Sequence, residues 1–259
     1  MAGDGIQRDG LKAGDVAIVT GGGGGFGRAF CLRLAQMGAR IAVWDIDATQ
    51  GVETTRLVKE TGGEASFFQV DLADPTSIAA SAQATLDTFG APYCIINNAS
   101  VFPRGEVIAL SLADWDWTLK VNLTAPFLIA KTFGPAMIEN GRGVVINLAS
   151  GRAIEGAAKG ANYACTKAAI LSLTKSLALE WARHGIRVNA IIPGQSLTAM
   201  PLVATSEAEM HAQARMRNPM GRVGYPQDVA GLAAYLVSAD AAYMTGQGVA
   251  INGGAVMIP

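Results

Sequence analysis

Tyr163 and Lys167 form a Tyr-x-x-x-Lys pair inside Ala161–His184, a stretch whose apolar residues recur at helical spacing. Four residues is close to one helical turn, so the two side chains share a face. A free phenol titrates near pH ~10, whereas a general base works best with a pKa close to the working pH. Bringing Tyr163 to about 7 would take roughly 4 kcal/mol of extra stabilisation of the phenolate. A neighbouring ammonium acts in that direction, so the pair could make a phenolic base with Lys167 as its activator. Ser150 follows the apolar run Gly143–Ala149. Its hydroxyl could hold a substrate oxygen beside Tyr163. Each feature also has a plain structural reading: such Tyr/Lys pairs recur on helix surfaces, and Ser150 alone is an ordinary loop serine.

A second feature is the run Thr20-Gly21-Gly22-Gly23-Gly24-Gly25-Phe26-Gly27, followed at once by Arg28, Ala29 and Phe30. A glycine run alone could be a linker. Here it falls between a buried-strand pattern and a helix pattern, the context of a phosphate-binding turn. Absent side chains let a pyrophosphate approach the backbone N–H groups, and the helix amino end adds partial positive charge. Asp45 closes the next apolar run, Arg40–Asp45, near the spacing of a carboxylate that takes both hydroxyls of an adenosine ribose. It would repel a 2′-phosphate. No Lys or Arg stands inside the glycine run or directly after Asp45 to offset that repulsion, so the expected cofactor is NAD rather than NADP. The alternative is that Asp45 merely caps the next helix, a task for which Asp47 is better placed.

These residues need a scaffold, and the pattern supplies one. Strands are expected at Val16–Thr20, Arg40–Asp45, Ala65–Val70, Tyr93–Asn97, Gly143–Ala149, Ile186–Ile192 and Gly248–Ile251. Helices are expected at Gly25–Met37, Ala48–Thr61, Ser77–Phe89, Leu112–Asn140, Ala161–His184 and Pro226–Val237. Several strands are continuously apolar, as strands buried on both faces are. The alternation predicts a parallel sheet covered by helices on both faces, with ligands at the carboxyl ends of the strands. The expected architecture is a Rossmann-type, doubly wound, seven-stranded α/β sheet in a single dinucleotide-binding and catalytic domain over 1–259. Residues 1–12 read as a polar tail and 195–220, with Met200, Met210, Met216 and Met220, as a substrate lid, a packed surface helix being the plainer alternative and not exclusive of it.

Composition narrows the class. The 259 residues are 50% hydrophobic and 16% charged, with formal net charge −1. That supports a large core and offers no electrostatic footprint for nucleic acid and no polybasic patch for a membrane. No apolar run reads as a signal or a membrane span. Cys31, Cys94 and Cys165 are far apart, and His184 and His211 are the only histidines. Neither a metal site nor a disulfide framework is expected, and the localisation expected is cytoplasmic.

In its joint motif order, the chain resembles the short-chain dehydrogenase/reductase family from about Ala13 to Gly254. Thr20-Gly21-x-x-x-Gly25-Phe26-Gly27 matches the family's cofactor loop, and Asp71-Leu72 the acid near the adenine. Asn97-Asn98-Ala99-Ser100 matches its Asn-Asn-Ala-Gly motif, with Ser100 in place of glycine. Asn122, Ser150, Tyr163 and Lys167 fall in its catalytic order. Pro193-Gly194 and Thr198 match its later cofactor contacts, Ser196 replacing an aliphatic residue, and Asn252-Gly253-Gly254 its closing segment. The resemblance implies a cofactor site that includes Gly21, Gly25, Phe26, Gly27, Asp45, Ile46, Asp71, Leu72, Asn98, Ala99, Pro193, Gly194, Ser196 and Thr198. It also implies that Lys167 holds the nicotinamide ribose and that Asn122 holds a water linking Lys167 to solvent. A homotetramer packed through Leu112–Asn140 and Ala161–His184 is implied as well.

The expected activity is oxidation of a secondary alcohol with NAD, Tyr163 removing the hydroxyl proton. Arg104, Arg152, Glu155, Lys159, Asn162 and Gln195 are polar groups near the expected pocket and favour a sugar, polyol or hydroxy acid, with Arg104, Arg152, Lys159 and Gln195 as the candidate substrate contacts. Arg152 is the candidate partner for an anionic group. Two alternatives stay open: a carbonyl or 3-oxoacyl reductase using NAD(P)H, and a non-catalytic NAD-binding redox sensor.

Overall fold

The computed structural model describes residues 9–198 and 205–257. Seven strands form one sheet: β1 (Val16–Thr20), β2 (Arg40–Asp45), β3 (Ala65–Gln69), β4 (Cys94–Asn97), β5 (Gly143–Leu148), β6 (Ile186–Pro193) and β7 (Gly248–Ile251). Their order is β3-β2-β1-β4-β5-β6-β7, and every pairing is parallel. Every residue of β1, β4 and β5 is buried, which is why those runs are apolar without alternation.

Successive side chains of each strand point to opposite faces. Ala17 and Val19 of β1 therefore pack against α1 (Gly25–Gln36), α2 (Ala48–Glu60) and the late helix Pro226–Val237, through Phe30, Leu34, Val58 and Val229. Val16 and Ile18 pack against α3 (Pro75–Phe89), α5 (Ala125–Glu139) and α7 (Ala161–Trp181), through Ile78, Ile129, Phe133 and Leu177. The sheet is thus doubly wound. Its strand order reverses between β1 and β4, so a crevice opens at their carboxyl ends.

Local chemistry moves several expected boundaries. Asp47 caps α2 by accepting from the Gln50 N–H. Asp74 and Pro75 start α3 two residues before Ser77, with the Asp74 carboxylate accepting from the Thr76 N–H. Such a cap is worth about 1 kcal/mol. The stretch Leu112–Asn140 is not one uniform α-helix. It is α4 (Leu112–Leu119) and α5 joined by a π-helical turn, Lys120–Thr124, that contains Asn122.

Helix α6 (Arg152–Glu155) was not expected from the sequence, and α8 (Glu207–Arg217) is the helix alternative for 195–220; Pro226–Val237 is α9. Ser206 and Glu209 form a capping box that starts α8. Met210 and Ala214 bury with Val223 in a small separate core. The described parts of 195–220 are therefore a packed helix and its flanks, with Met216 and Met220 exposed; Met200 lies outside the described residues. The polar tail also needs correction over its described part. Asp9 pairs with Arg142, the Leu11 N–H donates to the Val237 carbonyl, and the Lys12 N–H donates to Asp15. Residues 9–12 are docked by these bonds, while 1–8 lie outside the described residues.

Candidate active site

The glycine loop leaves β1 and enters α1. Gly21 and Gly25 have φ of +63° and +50°, a region that favours glycine. A Cβ at Gly27 would lie 1.9 Å from the Gly21 carbonyl oxygen, so only glycine fits there without moving the turn. Asn98 ties the loop to β4: its Nδ2 donates to the Thr20 and Gly21 carbonyls at 2.9 and 3.2 Å. Thr20 Oγ1 accepts in return from the Asn98 and Ala99 N–H groups. Gly24 faces open space, and a Cβ at Gly25 would meet Thr198 at 3.4 Å. Thr198 thus stands against the loop, far from it in sequence.

Asp45 Oδ2 accepts from the Gly23 N–H at 2.7 Å, and Oδ1 accepts from the Asp47 N–H at 3.0 Å. The carboxylate is fixed at the loop's rim with lone pairs left over. Ile46 beside it is exposed. Asp71 Oδ1 accepts from the Ala73 N–H, while Leu72 and Phe26 pack against the two cores. Pro193 ends β6. Gly194 lies against Asn252, a Cβ there meeting its Cα at 2.7 Å. Ser196 is buried, donates to the Gly194 carbonyl and forms a parallel bridge with Gly224. A cavity of about 250 Å³ opens there, lined by Gly194, Gln195, Ser196, Met220 and Asn252 among others. Sequence reasoning missed Arg28. Its guanidinium curls back to the Gly23 carbonyl, Gln50 Oε1 and Thr54 Oγ1.

This chain therefore fits a dinucleotide: a backbone cradle that side chains would fill, a fixed carboxylate at its rim, and a buried Ser100 hydroxyl with no hydrogen-bond partner directly after Ala99.

The catalytic candidates converge at the carboxyl edge of β5. Lys167, 2% exposed, donates from Nζ to the Leu148 carbonyl at 2.7 Å. Its Nζ lies 5.5 Å from the centre of the Tyr163 ring. Burial pushes the Lys167 ammonium down to about 7, since a charge loses more by leaving water than one carbonyl returns. Burial also pushes the Tyr163 phenol above its ordinary value, against downward pulls from the Ser150 hydrogen bond and the Arg152 charge. This corrects the expectation of a phenol lowered by Lys167: in the protein alone desolvation outweighs the flanking groups. Asn122 is buried in the π-turn. Its Oδ1 accepts from the Val101 N–H, and its Nδ2 donates to the Val101 carbonyl and Thr166 Oγ1. Its side chain thus clasps the loop after β4.

The four substrate candidates separate. Arg152 lies 3.5 Å from Glu155, and Lys159 lies 3.5 Å from Glu106, all four exposed. Gln195 is exposed at the rim of the 250 Å³ cavity. Arg104 has no carboxylate within ion-pair distance among the described residues and lies over the ring of Phe102 at 4.7 Å. A larger cavity of about 810 Å³ sits at the opposite, amino-terminal edge of β5 and β6. It contains none of the motif residues, and two of its cations, Lys12 and Arg142, are paired with Asp9. The chemistry, not the volume, locates the site. Among the described residues no three His, Cys, Asp or Glu side chains converge as a metal site would require, and no helix is long and apolar enough to cross a membrane.

Comparison with known proteins agrees with this geometry. Residues 22–256 match the profile of a family described as enoyl-(acyl carrier protein) reductase. A provisionally named short-chain type dehydrogenase/reductase from Bradyrhizobium diazoefficiens is 38% identical over 245 residues, covering 93% of this chain and 87% of that protein. Among solved structures, a provisionally named NAD(P)-dependent gluconate 5-dehydrogenase from Beutenbergia cavernae, with NADP bound at low occupancy, superposes with a TM-score of 0.88. It is 36% identical and covers 94% of this chain and 97% of that one. A provisionally named gluconate dehydrogenase from Agrobacterium tumefaciens gives a TM-score of 0.90 at 33% identity, covering 95% and 98%. With the doubly wound sheet, the glycine cradle and the Ser150, Tyr163 and Lys167 cluster at one strand edge, these matches place the chain in the short-chain dehydrogenase/reductase family of oxidoreductases.

Proposed function

We propose that this oxidoreductase is an NAD-linked dehydrogenase that oxidises a secondary alcohol on a polar, anionic substrate such as a sugar acid or hydroxy acid. The observation that carries the reading is the Tyr163 ring, with buried Lys167 Nζ 5.5 Å from its centre and Ser150 as a neighbour, at the carboxyl edge of the sheet. Ser150 holds the substrate oxygen, and Tyr163 Oη, ionised when the positive charge of bound NAD offsets its desolvation, would accept the hydroxyl proton as the carbon–oxygen bond becomes a carbonyl. The bound nicotinamide supplies the acceptor for the hydride. Lys167 passes the proton onward, and a water held by Asn122 would complete the path to solvent. Gly21, Gly25, Gly27, Asn98 and Thr198 would hold the dinucleotide, with Asp45 on its adenosine ribose.

Asp45 supports NAD, because a carboxylate fixed at the rim repels a 2′-phosphate. Arg28 favours a second reading, in which NADP is also accepted. It lies beside Gly23 on the same rim, and the Beutenbergia relative carries NADP. The substrate class rests on Arg104, which has no carboxylate partner among the described residues and stands one ring away from Tyr163, and on two structural relatives named for gluconate. Arg152, already beside Glu155, takes a lesser part than the sequence suggested.

One assay tests all of this. The purified chain is given NAD or NADP with neutral sugars, polyols, sugar acids and hydroxy acids, and reduced nucleotide is followed by absorbance. The expected result is turnover with NAD on acidic substrates, cut about a hundredfold or more by Tyr163→Phe, the usual weight of a general base. NAD affinity should be unchanged in that variant. Activity only with ketones and NADPH would replace the reading with the reductase. Nucleotide binding without turnover on any substrate would favour the redox sensor.

A further inference from the structure

The Tyr163 ring has a partner outside the Ser150 and Lys167 pair. Phe102 stacks on it, with ring centres 4.4 Å apart and planes within 20°. The Arg104 guanidinium covers Phe102 at 4.7 Å. Two groups this close cannot share one face of a ring, so Arg104 lies on the side turned away from Tyr163.

The loop that carries Phe102 is tied to the π-turn on one side of the stack and to residues 159–162 at the start of α7 on the other. Asn122 holds both the N–H and the carbonyl of Val101. The Pro103 carbonyl accepts from Asn162 Nδ2, and the Gly105 N–H donates to the Lys159 carbonyl. Asn162 is itself 1% exposed and donates to Thr118 of α4. Gly160 makes the room: a Cβ there would lie 2.6 Å from Phe102 Cε2. Lys159 adopts φ of +58°, an uncommon conformation for a residue with a side chain, and such conformations gather at functional sites. Three elements thus hold one ring against the proposed base.

We propose that Phe102 is a positioning residue for Tyr163, its ring fixing the plane of the phenol so that Oη is held toward the substrate oxygen. This rests on the reading of Tyr163 as proton acceptor. A ring held on one face cannot swing out of line, and small misplacements at a reacting atom cost much rate. Phe102 also removes water from that face. The charged groups facing the phenol are Lys167 from its own helix, Arg152 from α6, and Arg104 behind Phe102.

The test uses the full chain with tyrosines carbon-13 labelled at Cζ. The Tyr163 signal is assigned by its loss in Tyr163→Phe, and its titration is compared in wild type, Phe102→Ala and Phe102→Tyr. In Phe102→Ala, Tyr163 should titrate lower by about half a pH unit or more, as water returns to the ring. NAD-linked turnover should fall about tenfold or more, with KM for NAD within about twofold. Phe102→Tyr should restore both. An unchanged titration and turnover in Phe102→Ala sinks the proposal. So does an equal loss in both variants accompanied by lower Tm and weaker NAD binding, which would mark a general packing role. Turnover surviving in Tyr163→Phe sinks the base assignment and this proposal with it, whereas a normal titration in Phe102→Ala sinks this proposal alone.

Discussion

Lys167 is buried to 2% with one carbonyl in reach, and burial moves its pKa down to about 7. In the unfolded chain the same amine titrates near ~10.4. Between those values the unfolded chain binds a proton that the native chain does not. Stability therefore rises with pH across that window, and below about 7 the full cost of burying the ammonium is present. A tenfold change in proton affinity corresponds to about 1.4 kcal/mol, so the swing should reach a few kcal/mol. Tyr163 acts in the opposite sense only above its ordinary value, because burial raises it. Urea melts of wild type and Lys167→Met, without nucleotide, isolate the lysine's contribution, since all other groups are common to both. The wild type should gain on the variant from pH 7 to pH 10. A flat difference would mean that Lys167 stays charged in the native chain. An amine so easily discharged is suited to passing a proton, the role proposed for it.

At the scale of elements, the turn between β1 and α1 is the most tightly specified piece. A Cβ at Gly27 would lie 1.9 Å from the Gly21 oxygen, so Gly27→Ala must push the turn open. Forcing a methyl into a packed site costs roughly 1–3 kcal/mol, and here the displaced groups are those that would meet the pyrophosphate. NAD affinity should fall about tenfold or more, while far-UV circular dichroism shows the sheet intact. Unchanged affinity would remove Gly21–Gly27 from the cofactor site. This turn was legible in the sequence because residue type largely dictates it: those φ values favour glycine, and the approach of Gly27 to the Gly21 carbonyl leaves no room for a Cβ. The strands were legible because burial on both faces leaves an unbroken apolar run. Other parts were hidden for physical reasons. Phe102 gains its role only when the loop after β4 folds back on 159–162, a contact no local pattern announces. Arg28 reads as a surface helix residue until its side chain curls back to Gly23. The π-turn around Asn122 keeps the same apolar stripe as an α-helix. Helix α8 is mostly polar and charged, so its small buried face, Met210 and Ala214, gave little periodic signal.

At the scale of the whole molecule, the exposed apolar side chains bear on assembly. The helices on the α3, α5 and α7 face of the sheet expose large apolar side chains: Leu112 at 73%, Trp117 at 45%, Phe127 at 48% and Leu179 at 85%. Leu112 and Trp117 belong to α4, Phe127 to α5 and Leu179 to α7, the stretches through which the family resemblance implied assembly. Exposed apolar groups on helices are candidates for burial in an interface. The symmetric way to cover such a face is to pair it with its own copy. We therefore expect a homotetramer with this face at one of its interfaces. Sedimentation of the wild type should give a mass of four chains. Phe127→Asp with Leu179→Asp should give a smaller species, because a charge without a partner is costly inside an interface. Both side chains point away from the core that holds Lys167, so the variant should keep its fold, and its circular dichroism should match the wild type. A wild type that sediments as a single chain would return this face to solvent. A tetramer that survives both charges would place the interface elsewhere.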